Sequence, residues 1–218
     1  MKERDVMRTL DLEEQEQLAE FKSWWQKYGN LVTSAILAVA LTYAGVAGWQ
    51  WYQRSQASEA SGLYDALQKA ASEKDTKKVR DAAGAILEQF PRTAFAPLAA
   101  MISAKVHFDA GDLKTARAQL QWVIDRAADP ALQAVAKLRL AHVLVDDDAI
   151  DEALKLLDAP PKGEFAAQFS ALRGDILVVK GQTAEARSAY QSAIDQTDAK
   201  NRAQKERLQS KLDALGDA

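Results

Sequence analysis

The sequence predicts an all-α protein: an N-terminal single transmembrane helix, then an antiparallel helix-hairpin solenoid of about four repeats plus a capping helix. Three observations carry this expectation. The run from Tyr28 to Gln53, between Lys27 and Arg54, contains no charged side chain. Two long segments nearly match at an offset of 70 residues, Gly111 to Asp125 against Gly181 to Asp195. No segment sustains the apolar–polar alternation of a strand.

The uncharged run centres on LVTSAILAVALTYAGVAGWQW, Leu31 to Trp51. About 20 helical residues at about 1.5 Å each cross the roughly 30 Å hydrocarbon core of a bilayer. A buried core helix of this length without one charge is unusual. A cleaved signal peptide needs a short basic lead and an apolar run of roughly 7–15 residues. Here about 30 residues come first, with seven acidic against five basic side chains, and the A-x-A at Ala38-Val39-Ala40 lies mid-run. The segment therefore reads as an uncleaved anchor. Trp24, Trp25 and Tyr28 before it, and Trp49, Trp51 and Tyr52 after it, suit the two membrane interfaces. Ala40, Ala44 and Gly48 recur every fourth residue and form a small-residue strip, the candidate face for packing another membrane helix.

Three regions follow: a tail with an amphipathic helix at residues 1–29, a transmembrane helix at 30–52 and a soluble domain at 56–218. Residues 1–11 are expected to be unstructured. In the rest of the tail Leu18, Phe21, Trp24, Trp25 and Tyr28 share one helical face, and Glu13, Glu14, Glu16 and Glu20 occupy the remainder. Such a helix lies on a membrane or docks on a partner, or serves only as a polar lead-in. Gly29 is expected to break the helix. Arg8, Lys22 and Lys27 precede the span while Arg54 and Lys69 follow it, a bias that puts the N-terminus in the cytoplasm and the large domain outside it.

The helices expected beyond the span cover 56–73, 76–90, 93–109, 112–127, 131–146, 149–157, 164–180, 182–196 and 199–215. Within the 70-residue repeat a third copy, DDDAIDEALKLLDAPP, places Ala153 at the position of Ala116 and Ala186, in steps of 37 and 33. One more step back reaches Val79. This spacing resembles the tetratricopeptide (TPR) helix-turn-helix repeat of about 34 residues. Small side chains on the first helix (Leu67, a poor match, then Ala104, Ala141 and Gly174) are expected to close against Val79, Ala116, Ala153 and Ala186 on the second. In particular, Gly174 is expected to meet Ala186. Gly111 and Gly181 fit left-handed caps at the turns, and Pro91 and Pro130 fall where helices must stop.

Residues 56–218 carry 22 Lys and Arg against 24 Asp and Glu, and nothing basic enough for a nucleic-acid binder. There is no cysteine, hence no thiolate ligand or nucleophile. His107 and His142 lack metal-ligand spacing. Asp146-Asp147-Asp148 lacks calcium-loop spacing and reads as a solvated turn with N-cap duty. Arg173-Gly174-Asp175 lies within a helix. No catalytic constellation, cofactor site or metal site is expected, so the chain should act by binding. In a TPR register Met101, Lys105 and Phe108, then Leu138, His142 and Val145, then Ala171, Asp175 and Val178 face the concave groove. Phe108, Val145 and Val178 would form an apolar stripe for a protein segment, unless the terminal helix covers it.

The tail EQEQLAEFKSWWQKYGN, the single span, LKTARAQLQWVID, AVAKLRLAHVL and above all FAAQFSALRGDILVVKGQTAEARSAYQSAI together resemble one family. These are the YfgM-like ancillary SecYEG translocon subunits of the Gram-negative inner membrane. The resemblance implies a periplasmic TPR-like domain, association with the SecYEG translocon, partnership with the membrane-anchored chaperone PpiD and help for newly exported client proteins. An envelope-assembly scaffold unrelated to the translocon is the alternative.

Overall fold

A computed structural model describes the backbone of residues 2–216 and the side chains of residues 17–216. The chain divides into two units, Met1–Ser55 and Gln56–Ala218. Among the described residues there are nine α-helices and no strand.

Helix α1 runs without interruption over Lys2–Ser72. The expected break at Gly29 and the expected gap at 53–55 are both absent. No proline precedes Pro91, and a helix crossing lipid must satisfy every backbone group within itself. Gly29 is buried beneath the indole of Trp25: a Cβ there would stand 3.2 Å from Nε1. The Thr33 hydroxyl donates to the Gly29 carbonyl at 2.8 Å, and Thr42 donates to Ala38 at 2.8 Å, so both threonine hydroxyls of the span find partners in their own helix. The unstructured start expected at residues 1–11 is helical backbone from Lys2 onward, and its side chains lie outside the described residues.

The second unit is a run of hairpins. The end of α1 pairs with α2 (Thr76–Gln89), α3 (Phe95–Asp109) with α4 (Leu113–Arg126), α5 (Pro130–Asp146) with α6 (Ile150–Leu157), and α7 (Ala166–Val179) with α8 (Thr183–Gln196). Helix α9 (Arg202–Asp213) packs on α8 as the cap. The first helices α3, α5 and α7 also touch in sequence, which places them side by side along the stack. Ala159-Pro160-Pro161 ends α6 after eight residues.

Small residues at the helix crossings make this packing possible. Leu67, Ala104, Ala141 and Gly174 on the first helices are all buried, as are Val79, Ala116, Ala153 and Ala186 on the second. Leu67, the poor match to a small residue, is nonetheless wholly enclosed with Val79, Ala83 and Ile86. Gly174 does not have Ala186 as its nearest partner. The ring of Tyr190 lies over it, so close that a Cβ would be 2.6 Å from Cδ1 and Cε1. Tyr190 stands one helical turn further along α8 than Ala186, and only a glycine leaves room for its ring.

The four hairpin turns share one backbone solution. Lys74, Gly111, Asp148 and Gly181 all have positive φ, at 56°, 80°, 58° and 77°. In each turn the next residue's N–H reaches back five residues: Asp75 to Ala70, Asp112 to His107, Ala149 to Leu144 and Gln182 to Leu177, at 2.8–3.0 Å. This is the left-handed helix cap that satisfies terminal carbonyls. Asp148 thus serves the end of α5, and the N-cap duty expected of the Asp146–Asp148 run is absent: Ala149 is the N-cap of α6 and offers no side-chain hydrogen bond. A left-handed residue with a Cβ costs about 1–2 kcal/mol, against about 0.5–1 kcal/mol of extra chain entropy for glycine. Gly181→Ala is therefore expected to cost about 1 kcal/mol, and Lys74→Gly to gain about 0.5 kcal/mol. Thermal unfolding of the full-length protein in detergent, followed by circular dichroism, checks both signs.

Candidate protein-binding face

In the first unit, α1 is the helix among the described residues that is long and apolar enough to cross a membrane, and none of its apolar window is buried. It is a membrane anchor. Phe21, Trp24, Trp25 and Tyr28 form a chain of ring contacts with centroids 5.9–6.3 Å apart, and Lys27 Nζ lies 5.4 Å from the Tyr28 ring. At the other end Trp49 and Tyr52 meet at 6.2 Å. Both groups are exposed, as side chains seated in headgroup regions would be. Ala40, Ala44 and Gly48 are exposed, and nothing lies within 4 Å of where a Cβ on Gly48 would stand.

In the second unit the first helices frame three adjoining concavities. The largest, about 1030 Å³, lies between residues 64–76, α3 and the first half of α5. Leu98, Met101, Ile102, Val106, Leu132 and Val135 give it an apolar floor; Lys74, Lys105, Asp109 and Arg139 are its charged groups. The second, about 240 Å³, is lined by Lys105, Phe108, Leu120, Arg139 and His142 among others. The third, about 480 Å³, has Leu138, His142, Ala171 and Asp175 on one side and Gln204, Arg207, Leu208 and Lys211 of α9 on the other. Lys105 and Arg139 are common to the first two, and His142 to the second and third.

Most of the residues expected on the groove sit in these concavities. Met101 and Lys105 are in the first, Phe108 and His142 in the second, and Leu138, Ala171 and Asp175 in the third. Val145 and Val178 line none of the three. Val145 is half-buried against the core and Val178 is exposed. Helix α9 occupies part of the face. Lys211 Nζ holds both oxygens of Asp175 at 2.6 and 2.8 Å, and the Tyr190 hydroxyl donates to Asp175 at 2.8 Å. Burial, then the Asp175 carboxylate, pushes the Tyr190 phenol well above its ordinary range. The expected set lacked Leu98, Ile102, Leu132, Val135 and Arg139. Their signal was legible: 98, 102 and 105, and 132, 135 and 139, recur at three and four along one face of α3 and α5.

His107 belongs to the core rather than to the face. It is wholly buried, and its Nδ1 lies 3.2 Å from Asp112 Oδ2 but out of line for a hydrogen bond. Asp112 also accepts from the Thr115 N–H, as N-cap of α4, and from Arg80 at 3.2 Å. Desolvation outweighs the attraction of Asp112 and lowers the His107 pKa. The unfolded chain therefore binds a proton near pH 6.5 that the folded domain does not. Stability from this site is present above that pH and is lost as pH falls below it. His107→Gln is expected to flatten the pH dependence of the unfolding midpoint between pH 7.5 and pH 5.5. Among the described residues no three His, Asp or Glu side chains gather as a metal site.

The comparisons agree with this architecture. Residues 22–217 match a family described as a tetratricopeptide repeat-like domain. The chain is 30% identical over 205 residues to the ancillary SecYEG translocon subunit of Neisseria gonorrhoeae, covering 94% of this chain and 98% of that one. It is also 30% identical to the proteins of the same name from Haemophilus influenzae, over 84% of this chain and 89% of the relative, and Escherichia coli, over 83% and 87%. None of these names is that of an enzyme family. The chain belongs to the family of ancillary SecYEG translocon subunits, with a tetratricopeptide repeat-like domain borne on a membrane anchor.

Proposed function

We propose that this is a single-span inner-membrane protein that associates with the SecYEG translocon and binds newly exported chains through its hairpin stack. Residues 1–29 lie in the cytoplasm, residues 30–52 span the membrane and residues 56–218 lie in the periplasm. A membrane-anchored chaperone of the PpiD kind works beside it. The observation that carries this reading is the combination of an exposed uncharged helix with an open apolar trough of about 1030 Å³ on the domain that follows it. The names of the relatives support the choice of translocon. Three Lys and Arg side chains shortly before the span (Arg8, Lys22, Lys27) against two after it (Arg54, Lys69) support the orientation.

The mechanism is positional. The anchor confines the trough near the exit of the channel and raises its effective concentration for any chain emerging there, so that weak contacts suffice. The exposed strip of Ala40, Ala44 and Gly48 offers close approach to a neighbouring membrane helix. A photo-reactive residue at position 44 is expected to crosslink, in native membranes, to a membrane helix of the translocon or of the chaperone. Products confined to unrelated envelope proteins would favour the scaffold reading instead. Protease added outside intact spheroplasts is expected to digest residues 56–218 and spare the tail; protection of the large domain would overturn the orientation.

A further inference from the structure

From the charges of the trough we infer the chemistry of its occupant: an extended apolar segment that carries Asp or Glu side chains. This rests on the reading above, that the trough seats exported chains. Three large apolar side chains are exposed among the described residues of the second unit, and Leu98, on the trough, is one of them. Four charged groups line the trough, three of them cationic. Lys105 is neutralised by Asp109 at 2.8 Å. Lys74 and Arg139 make no ion pair among the described residues. The trough therefore keeps two uncompensated cations on a domain whose own balance is acidic, 22 basic against 24 acidic side chains.

Arg139 is the better placed of the two. It lines both the trough and the smaller concavity beside Phe108, so a carboxylate held there has apolar surface on either side. Its guanidinium offers a planar fork that accepts a carboxylate in two hydrogen bonds. The third concavity differs. Its Asp175 is already held by Lys211 of α9, which forms one wall of that concavity. The preference is thus confined to the N-terminal half of the stack. A basic segment is disfavoured there by Lys74 and Arg139, a discrimination that works by repulsion as well as attraction.

The test uses full-length protein in nanodiscs of uncharged lipid and three fluorescent peptides with blocked termini. They share one set of apolar residues and differ only in carrying Glu, Gln or Lys between them. The Glu peptide is expected to bind roughly fivefold tighter than the Gln peptide, and the Lys peptide weakest, as a partly exposed ion pair allows. The differences should shrink as salt is raised. Arg139→Lys should keep most of the preference and Arg139→Glu should invert it; Arg139 is exposed, so helix content is expected to be unchanged in both. Equal affinity for all three peptides overturns the charge preference while leaving the trough a binding site. Failure of all three to bind overturns the trough reading as well.

Discussion

Phe169→Ala is expected to lower the unfolding free energy by about 3–5 kcal/mol. Phe169 is the largest wholly buried side chain of the described residues. It sits on α7 in the main core cluster, which also holds Leu140, Leu144, Leu157 and Leu172 and draws on three hairpins. Removing the ring forfeits its transfer from water and leaves a void among side chains already packed from several helices. Phe165, one turn earlier and only half-buried, gives the comparison: Phe165→Ala should cost distinctly less. Denaturant unfolding of the full-length protein in detergent reads both. A loss within about 1 kcal/mol of zero for Phe169→Ala would mean that the core is not centred there.

The next largest effect is expected at Gly174. A Cβ at this position would overlap the Tyr190 ring at 2.6 Å. The ring is poorly able to retreat. It is buried with Ala193, Leu208 and Leu212, and its hydroxyl is tied to Asp175. Gly174→Leu is therefore expected to cost about 1–3 kcal/mol through overpacking, and to loosen α9 as Tyr190 is displaced. Glycine within an exposed helix is otherwise about 1 kcal/mol worse than alanine. In a Tyr190→Ala background, Gly174→Ala should then become neutral or stabilising. A double-mutant cycle with no coupling between the two positions would show that they do not share this contact.

The fold was largely legible because its determinants are local and repeated. The uncharged run marks the anchor without reference to any other residue. The turn glycines at 111 and 181 mark two hairpins, and the alanine spacing locates the rest. What escaped has physical reasons. At Gly29 the helix continues because lipid demands an unbroken backbone and Trp25 covers the glycine, neither of which local propensity records. Lys74 and Asp148 adopt the same left-handed geometry as the turn glycines without being glycine, since five-residue capping bonds in each turn impose it. The ring that covers Gly174, Tyr190, stands one turn of α8 beyond Ala186 and escaped the sequence reading, because periodicity gives the face and not the offset between two packed helices.

The candidate site was less legible than the fold. Register alone places Met101, Lys105, Phe108 and His142 on surfaces that line these concavities, while Val145 and Val178 line none of the three. Which end of a solenoid is open depends on where its terminal helix lies. Here α9 draws in Asp175 through Lys211, and the open surface moves to Leu98, Val135 and Arg139. No pattern within one helix reports that.

The central claim is that the trough holds chains while they are being exported. The most direct measurement is a photo-reactive residue at Val135, half-buried on the trough, compared with one at exposed Val178, in native membranes with export active or blocked. The account predicts adducts with newly exported proteins at position 135 that vanish when export is blocked, and far fewer at position 178. The same adducts at position 135 with export blocked, or equal yields at the two positions, would contradict it.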